Sequence, residues 1–171
     1  MNFIKDIKLK ENNEYNMIVE IKKGSKEKNE LVEPDFDKVE CVRKCKLKYP
    51  FYYGCFPQTL AGDNDPADAI LLTKEKHNVL DIVKVQPIAV IKTIDRGEED
   101  NKFICVEGEF KHIDKVEKLV LKFLSTYKGK KADMIIDKNI YDVEEAVKEL
   151  NKAHNNYLNK NINIVNTLKI Q

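Results

Sequence analysis

Residues 62–94 read GDNDPADAILLTKEKHNVLDIVKVQPIAVIKTI. An acidic loop, Gly62 to Asp68, runs directly into a short apolar strand, Ala69 to Thr73. The polar turn Lys74 to Asn78 then leads to a long β-branched run, Val79 to Ile94. Pro87 cannot donate to a ladder, so it divides this run into two strands or marks a bulge. Strand follows strand here with only turns between them.

The same pattern extends upstream. Tyr15, Met17, Val19 and Ile21 share one parity within residues 14–22, as a strand requires. Lys28 to Glu33 and Phe36 to Arg43 are further short strands, set off by turns at Gly24-Ser25 and Glu33-Pro34-Asp35. Tyr49 to Phe56, bracketed by Pro50 and Pro57, reads as strand plus irregular loop. Downstream, Phe103 to Val106 follows a charged turn, and then the period changes. Ile113, Val116, Val120, Phe123, Leu124 and Tyr127 recur at helical spacing. Tyr141-Asp142 opens a second such stretch, through Val143, Ala146, Val147, Leu150, Ala153 and Tyr157, with Asp142 as N-cap. Glu144 and Glu145 suit the first turn's dipole. Strands first and helices after make an α+β fold, a small barrel with helices packed outside. Residues 161–171, NINIVNTLKIQ, alternate and are expected to form an edge strand, a partner contact or a frayed tail.

The 171 residues suit a single domain over 1–171, with 161–171 a possible C-terminal extension. Hydrophobic residues at 42% and charged residues at 35% exclude a disordered chain, and Gly 6 with Pro 5 exclude a collagen-like one. Lys+Arg 30 against Asp+Glu 29 leaves no global field for nucleic acid or a membrane surface, so charged ligands must meet local clusters. The first fifteen residues carry no apolar core of a signal peptide, and no apolar run is long enough to span a membrane. Cys41, Cys45, Cys55 and Cys105 form no C-x-x-C pair and lie near none of the three histidines, so a zinc site is not expected. They read as reduced, buried thiols of a cytoplasmic protein.

Two windows concentrate acid. Residues 63–68 and 95–100 hold seven acids in twelve positions, where the chain average predicts about two. Each has a plain reading as a surface turn. A calcium EF-hand starting at Asp63 fails, because Ala67, Asp68 and Lys74 stand where the loop needs Asp or Asn, Gly and Glu. Close acids repel and raise one another's pKa unless a cation neutralises them. Lys102 follows Asp100 at strand spacing, so an acid and a base share one face. A third group is basic and aromatic: Arg43, Lys44, Lys46, Lys48, Tyr49, Tyr53 and Tyr127-Lys128. Such residues bind single-stranded nucleic acid on a small barrel, hold a small phosphate ligand, or form a solvated face over core tyrosines. No GxGxxG, P-loop, GxSxG or HExxH is present. Any phosphate must be handled by side-chain cations and metals.

GDNDPAD resembles the Asp-x-Asp-Pro-x-Asp signature of the family I soluble inorganic pyrophosphatases. The resemblance runs in order from Glu20 in MIVEI through KNE (28–30), Arg43, YPFYYG (49–54), the signature, Asp95, DNK (100–102) and YK (127–128). It implies an OB-like five-stranded β-barrel with flanking hairpins and two outer α-helices. It also implies magnesium-dependent hydrolysis of pyrophosphate, several magnesium ions per site, and a homo-oligomer. By resemblance, Asp63, Asp68 and Asp100 hold a first metal pair, Asp95 and Asp100 a third ion and Glu30 a fourth. Asp65 matches the base that deprotonates the attacking water, and Glu20 a supporting acid. Lys28, Arg43, Tyr53, Lys102, Tyr127 and Lys128 match phosphate-contacting positions, with Tyr49 supporting them. Lys44 competes with Arg43 for its position, because the segment up to Tyr49 is shorter than in many relatives. Arg96 stands where many relatives carry an acid. The alternative function is a barrel module for single-stranded nucleic acid. The seven loop acids oppose it by repelling a phosphate backbone.

Overall fold

The computed structural model describes residues 1–108, 113–128 and 133–168, with the side chains of 113–117 and 163–168 outside that description. The strands are β1 (Lys10–Glu11), β2 (Glu14–Ile21), β3 (Glu27–Leu31), β4 (Val39–Lys44), β5 (Tyr52–Cys55), β6 (Asp68–Leu72), β7 (Ile82–Asp95), β8 (Glu98–Glu99), β9 (Lys102–Val106) and β10 (Met134–Tyr141). Helix α1 (Ile113–Leu124) precedes β10, and α2 (Val143–Leu168) follows it. Strands β2, β5, β6, β9 and β7 are neighbours in that order, and β7 pairs back onto β2. The sheet therefore closes into a five-stranded ring. β6 and β9 run parallel, and the other ring pairs are antiparallel.

Ring closure rests on β7. Its first residues, Ile82 to Val85, pair with β2. Residues 86–91 pair with β9, with a register shift between Pro87 and Ala89. Of the two readings of Pro87, the bulge is the one found. It lets one strand bend and change partner, as small barrels require.

Both faces of the ring wall are covered. Met17, Val19, Leu71, Val85, Phe103 and Cys105 cluster with Ala146, Leu150 and Ala153 of α2. On the opposite parity Ile70, Leu72, Ile91, Ile104 and Val106 cluster with Val120, Phe123 and Leu124 of α1. This is why β6 and β9 are continuous apolar runs rather than alternating ones. Hairpin β3–β4 forms a separate two-stranded sheet. Its Leu31, Phe36 and Val39 pack with Phe3 and Ile4 of the N-terminal segment.

Three expectations are corrected. β10 was absent from the sequence reading, because Asp137-Lys138-Asn139 interrupts its apolar residues and its register shifts between Ile136 and Ile140. Tyr141 accordingly ends a strand rather than opening a helix. Asp142 does cap α2, accepting from the Glu145 N–H at 3.2 Å. The tail is helical through Leu168 rather than a strand, and 169–171 lie outside the described residues. No Gly or Pro interrupts the chain after Val143. Each added residue extends the existing helix by one bond, so helix outcompetes a short alternating pattern. Finally, Cys45, Cys55 and Cys105 are buried free thiols, but Cys41 is exposed, on β4 of the two-stranded hairpin sheet, a strand with no fully buried residue. Among the described residues no helix is long and apolar enough to cross a membrane.

Candidate active site

Most of the acids and cations singled out in the sequence converge on one cleft of about 460 Å³, whereas Lys44, Lys46, Lys48 and Glu99 do not line it. Each is delivered by a strand end or turn. The parallel pairing of β6 with β9 sets Asp68 opposite Lys102, at the first position of each strand. Antiparallel pairing in the hairpin sets Lys28 opposite Arg43. The loop before β6 contributes Asp63 and Asp65, and the end of β7 contributes Asp95. Asp100 precedes β9, and Tyr127-Lys128 follow α1. Glu20 and Glu30 close the hairpin side. Arg43 lines the cleft, whereas its strand neighbour Lys44 points outward and is exposed.

Tyr53 and Tyr49 are not among the lining residues. The Tyr53 hydroxyl donates to Asp68 Oδ2 at 2.7 Å, fixing that carboxylate from behind. Tyr49 is 1% exposed. Its ring meets those of Tyr53 at 5.7 Å and Tyr127 at 6.2 Å. The Arg43 guanidinium stands over the Tyr127 ring at 5.6 Å, and its Nη2 is buried without a hydrogen-bond partner. Arg96 lines the cleft from the β7–β8 turn, where it and Gly97 both have positive φ, as a two-residue hairpin turn needs.

Lysine and acid neutralise each other in this state. Lys102 is fully buried and pairs with both Asp68 and Asp100. Lys128 pairs with Asp95, and Lys28 with Glu30. Among the described residues no three acids, cysteines or histidines already stand as a ready-made metal cage. Burial pushes the Asp68 carboxyl up, but Lys102, Lys28 and the Tyr53 hydroxyl outweigh it and hold it below the usual range. Asp100 moves the other way, raised by burial and then by the charge of Asp68. Asp95 is held low, because Lys128 outweighs its burial.

Asp65 differs from these. Among the described residues it has no cation in ion-pair range. Burial, followed by the charges of Asp63, Glu30 and Asp68, pushes its pKa up to about 6. Asp63, which accepts the Asp65 N–H at 3.1 Å, is also raised, chiefly by burial. Glu20 accepts the Leu31 N–H at 2.7 Å, and burial lifts it to about 8.

Of the lining residues that escaped the sequence reading of the site, three carry titratable groups: Glu33, Cys55 and Glu98. Cys55 follows Tyr53 at strand spacing and so shares its face, beside Glu20. Glu98 sits in the acidic window, where Asp95, its pairing partner across the turn, and Asp100 were assigned roles. The tyrosines of the basic and aromatic group are 1%, 4% and 5% exposed at positions 49, 53 and 127, too buried to serve as base-stacking platforms.

Comparison with known proteins bears on the same residues. A family model described as inorganic pyrophosphatase matches residues 17–158. The inorganic pyrophosphatase of Methanosarcina acetivorans is 32% identical over 161 residues, covering 85% of this chain and 93% of that protein. Soluble inorganic pyrophosphatase 5 of Arabidopsis thaliana is 36% identical over 109 residues, or 61% of this chain. The match spans about half, 50%, of that plant relative's length. Among solved structures, the type I inorganic pyrophosphatase from P falciparum superposes with a TM-score of 0.89 at 25% identity, covering 100% of this chain and 67% of that one. The enzyme from Thermus thermophilus shares the fold, with a TM-score of 0.80 over 92% of this chain and 99% of its own, at 24% identity. With the ring, the acidic loops and the family match all falling on the same residues, the chain belongs to the inorganic pyrophosphatase family.

Proposed function

We propose that the protein hydrolyses inorganic pyrophosphate to two phosphates with magnesium bound in the cleft. The observation that carries this reading is the pairing pattern. Three lysines each hold an acid of the cleft, while among the described residues Asp65 has no cation in ion-pair range. The donor set is oxygen only, apart from the Cys55 thiol, and suits magnesium. Asp63, Asp68, Asp95, Asp100 and Glu30 would hold the ions. Bound there, magnesium lowers the pKa of water and screens the charge of the phosphates.

The chain's own residues supply the rest. Asp65 takes the proton of the attacking water, and its raised pKa makes it a better proton acceptor than an ordinary aspartate. Water oxygen bonds to one phosphorus as the bridging oxygen leaves with the other. Lys28, Lys102 and Lys128, which line the cleft beside those acids, would offer their ammonium groups to phosphate oxygens. Arg43, with its unpartnered Nη2, offers a further donor to a phosphate oxygen. Tyr127 donates without adding charge; burial raises its pKa to about 12, so it stays protonated. Tyr53 and Tyr49 act by holding Asp68 and Tyr127 in place.

Buried free thiols at Cys45, Cys55 and Cys105 support the cytoplasm as the compartment. The paired and exposed Ile94 and Ile135 on β7 and β10 support a homo-oligomer. Phosphate release from pyrophosphate, measured in magnesium and again with a chelator, tests the main reading. Release in the first and none in the second is expected.

A further inference from the structure

The acids of the cleft come from two loops, 62–68 and 95–100. The separation of these loops decides which carboxylates can share one ion. Behind the cleft the loops meet at Gly62. A Cβ there would lie 2.8 Å from the Glu99 Cβ and 2.8 Å from the Glu99 carbonyl oxygen. The φ of Gly62 is outside the left-handed region, so glycine is required for space and not for backbone conformation.

Helix α2 braces the same junction from outside. Lys152 Nζ donates to both carboxylate oxygens of Glu99, at 2.9 and 3.2 Å. Glu99 also accepts from Asn101 Nδ2 at 2.9 Å, and Asn101 Oδ1 accepts the Thr93 N–H at 3.2 Å. One turn of the helix holds the segment leading into the other loop. The Leu60 N–H donates to the Ala153 carbonyl at 2.9 Å, and His154 Nδ1 donates to the Gln58 carbonyl at 2.6 Å. Neither Gly62 nor Lys152 lines the cleft.

We infer that Gly62 and Lys152 are positioning residues that set the distance from Asp63 and Asp68 to Asp95 and Asp100, and with it the affinity for magnesium. This rests on the reading of those acids as metal ligands. Adding a side chain at Gly62 wedges the loops apart. Removing Lys152 loosens the brace, with a smaller effect, since its ion pair with Glu99 is half exposed.

The test is calorimetric titration of magnesium, without substrate, into the wild type, Gly62→Ala, Lys152→Met, Lys152→Arg and Asp68→Asn, with melting curves of the metal-free proteins. Gly62→Ala is expected to weaken magnesium binding about tenfold or more, the scale of losing support behind a metal ligand. Lys152→Met is expected to weaken it by about two- to fivefold, while Lys152→Arg, which keeps the pair, stays near the wild type. Turnover of both weakened variants should recover as magnesium is raised to saturation. A lower melting temperature with unchanged magnesium affinity in Gly62→Ala means a merely structural glycine and overturns the inference. If Gly62→Ala does not fold, the Lys152 pair decides: Met weaker than Arg supports it, and equal affinities overturn it. A wild type that binds no magnesium, or an Asp68→Asn variant that binds as well as the wild type, overturns instead the ligand reading beneath.

Discussion

Asp65 and Asp68 are three residues apart in one loop, yet their surroundings pull them in opposite directions. Asp68 is held low by Lys102 and Lys28, and Asp65 is raised to about 6 by burial and neighbouring acids. Asp68→Asn should therefore weaken both magnesium binding and turnover. Asp65→Asn should keep magnesium affinity while turnover falls by about 10²–10⁴-fold, the usual loss of a general base. Its rate should recover partly at alkaline pH, where hydroxide forms unaided. Magnesium titration followed by turnover across pH checks both; metal loss in Asp65→Asn with retention in Asp68→Asn would show the roles reversed. Glu20 gives a stability prediction. Its pKa is about 8 in the folded protein against an ordinary 4.5. Between those values the folded state keeps a proton that the unfolded chain has released, so stability falls as pH rises through that window. Glu20→Gln keeps the acceptor for the Leu31 N–H and removes the buried charge. The metal-free variant should match the wild type near pH 4.5 and exceed it at pH 8 by on the order of 1–3 kcal/mol. Paired chemical denaturation at the two pH values measures this, and equal stability at both would contradict it. Asp65 and Asp68 stood out in the sequence because like charges cluster there without an obvious partner, whereas Glu20 was singled out only by the family resemblance. That the Tyr53 hydroxyl meets Asp68 was not, since a strand tyrosine has one of two faces and the register decides which.

Among the elements, those with a continuous hydrophobic period were readable, and those whose pattern is broken were not. β2 carries Tyr15, Met17, Val19 and Ile21 on one parity even though both its faces are buried, and α1 keeps its helical spacing, so both are readable in the sequence. β10 carries three polar residues in its middle and is recognisable only through its pairing with β7. The alternating tail contains no breaker and simply continues α2. One glycine shows how close two elements stand. A Cβ on Gly54 would lie 1.8 Å from the Ile18 carbonyl oxygen, across the β2–β5 pair. Unlike Gly62, this position lies inside the ring wall, so the strands cannot part without opening the barrel. Gly54→Ala should cost about 3 kcal/mol or more, at the upper end of overpacking. A denaturant midpoint within error of the wild type would show that β2 and β5 separate freely.

At the scale of the whole molecule, the closed ring and the β3–β4 hairpin bring residues from eight strands and the turns between them to one mouth, where a chain of net charge +1 gathers acids and cations side by side. The ring was legible as a succession of strands followed by helices. A closed barrel was expected as well; what the sequence left open is how it closes, because that depends on one strand bending at Pro87 and changing partner. Without metal the lysines and acids neutralise one another. On the proposed reading, magnesium held by the acids would leave the lysines and Arg43 to face a small polyanion. Hydrolysis in water enriched in heavy oxygen, followed by phosphorus NMR, tests this whole arrangement in a single experiment. With saturating magnesium, pyrophosphate should disappear completely into orthophosphate. In a single pass, each pyrophosphate should yield one labelled and one unlabelled phosphate, and a chelator should stop the reaction. Pyrophosphate that persists in saturating magnesium, or turnover that continues undiminished with the chelator, would contradict it.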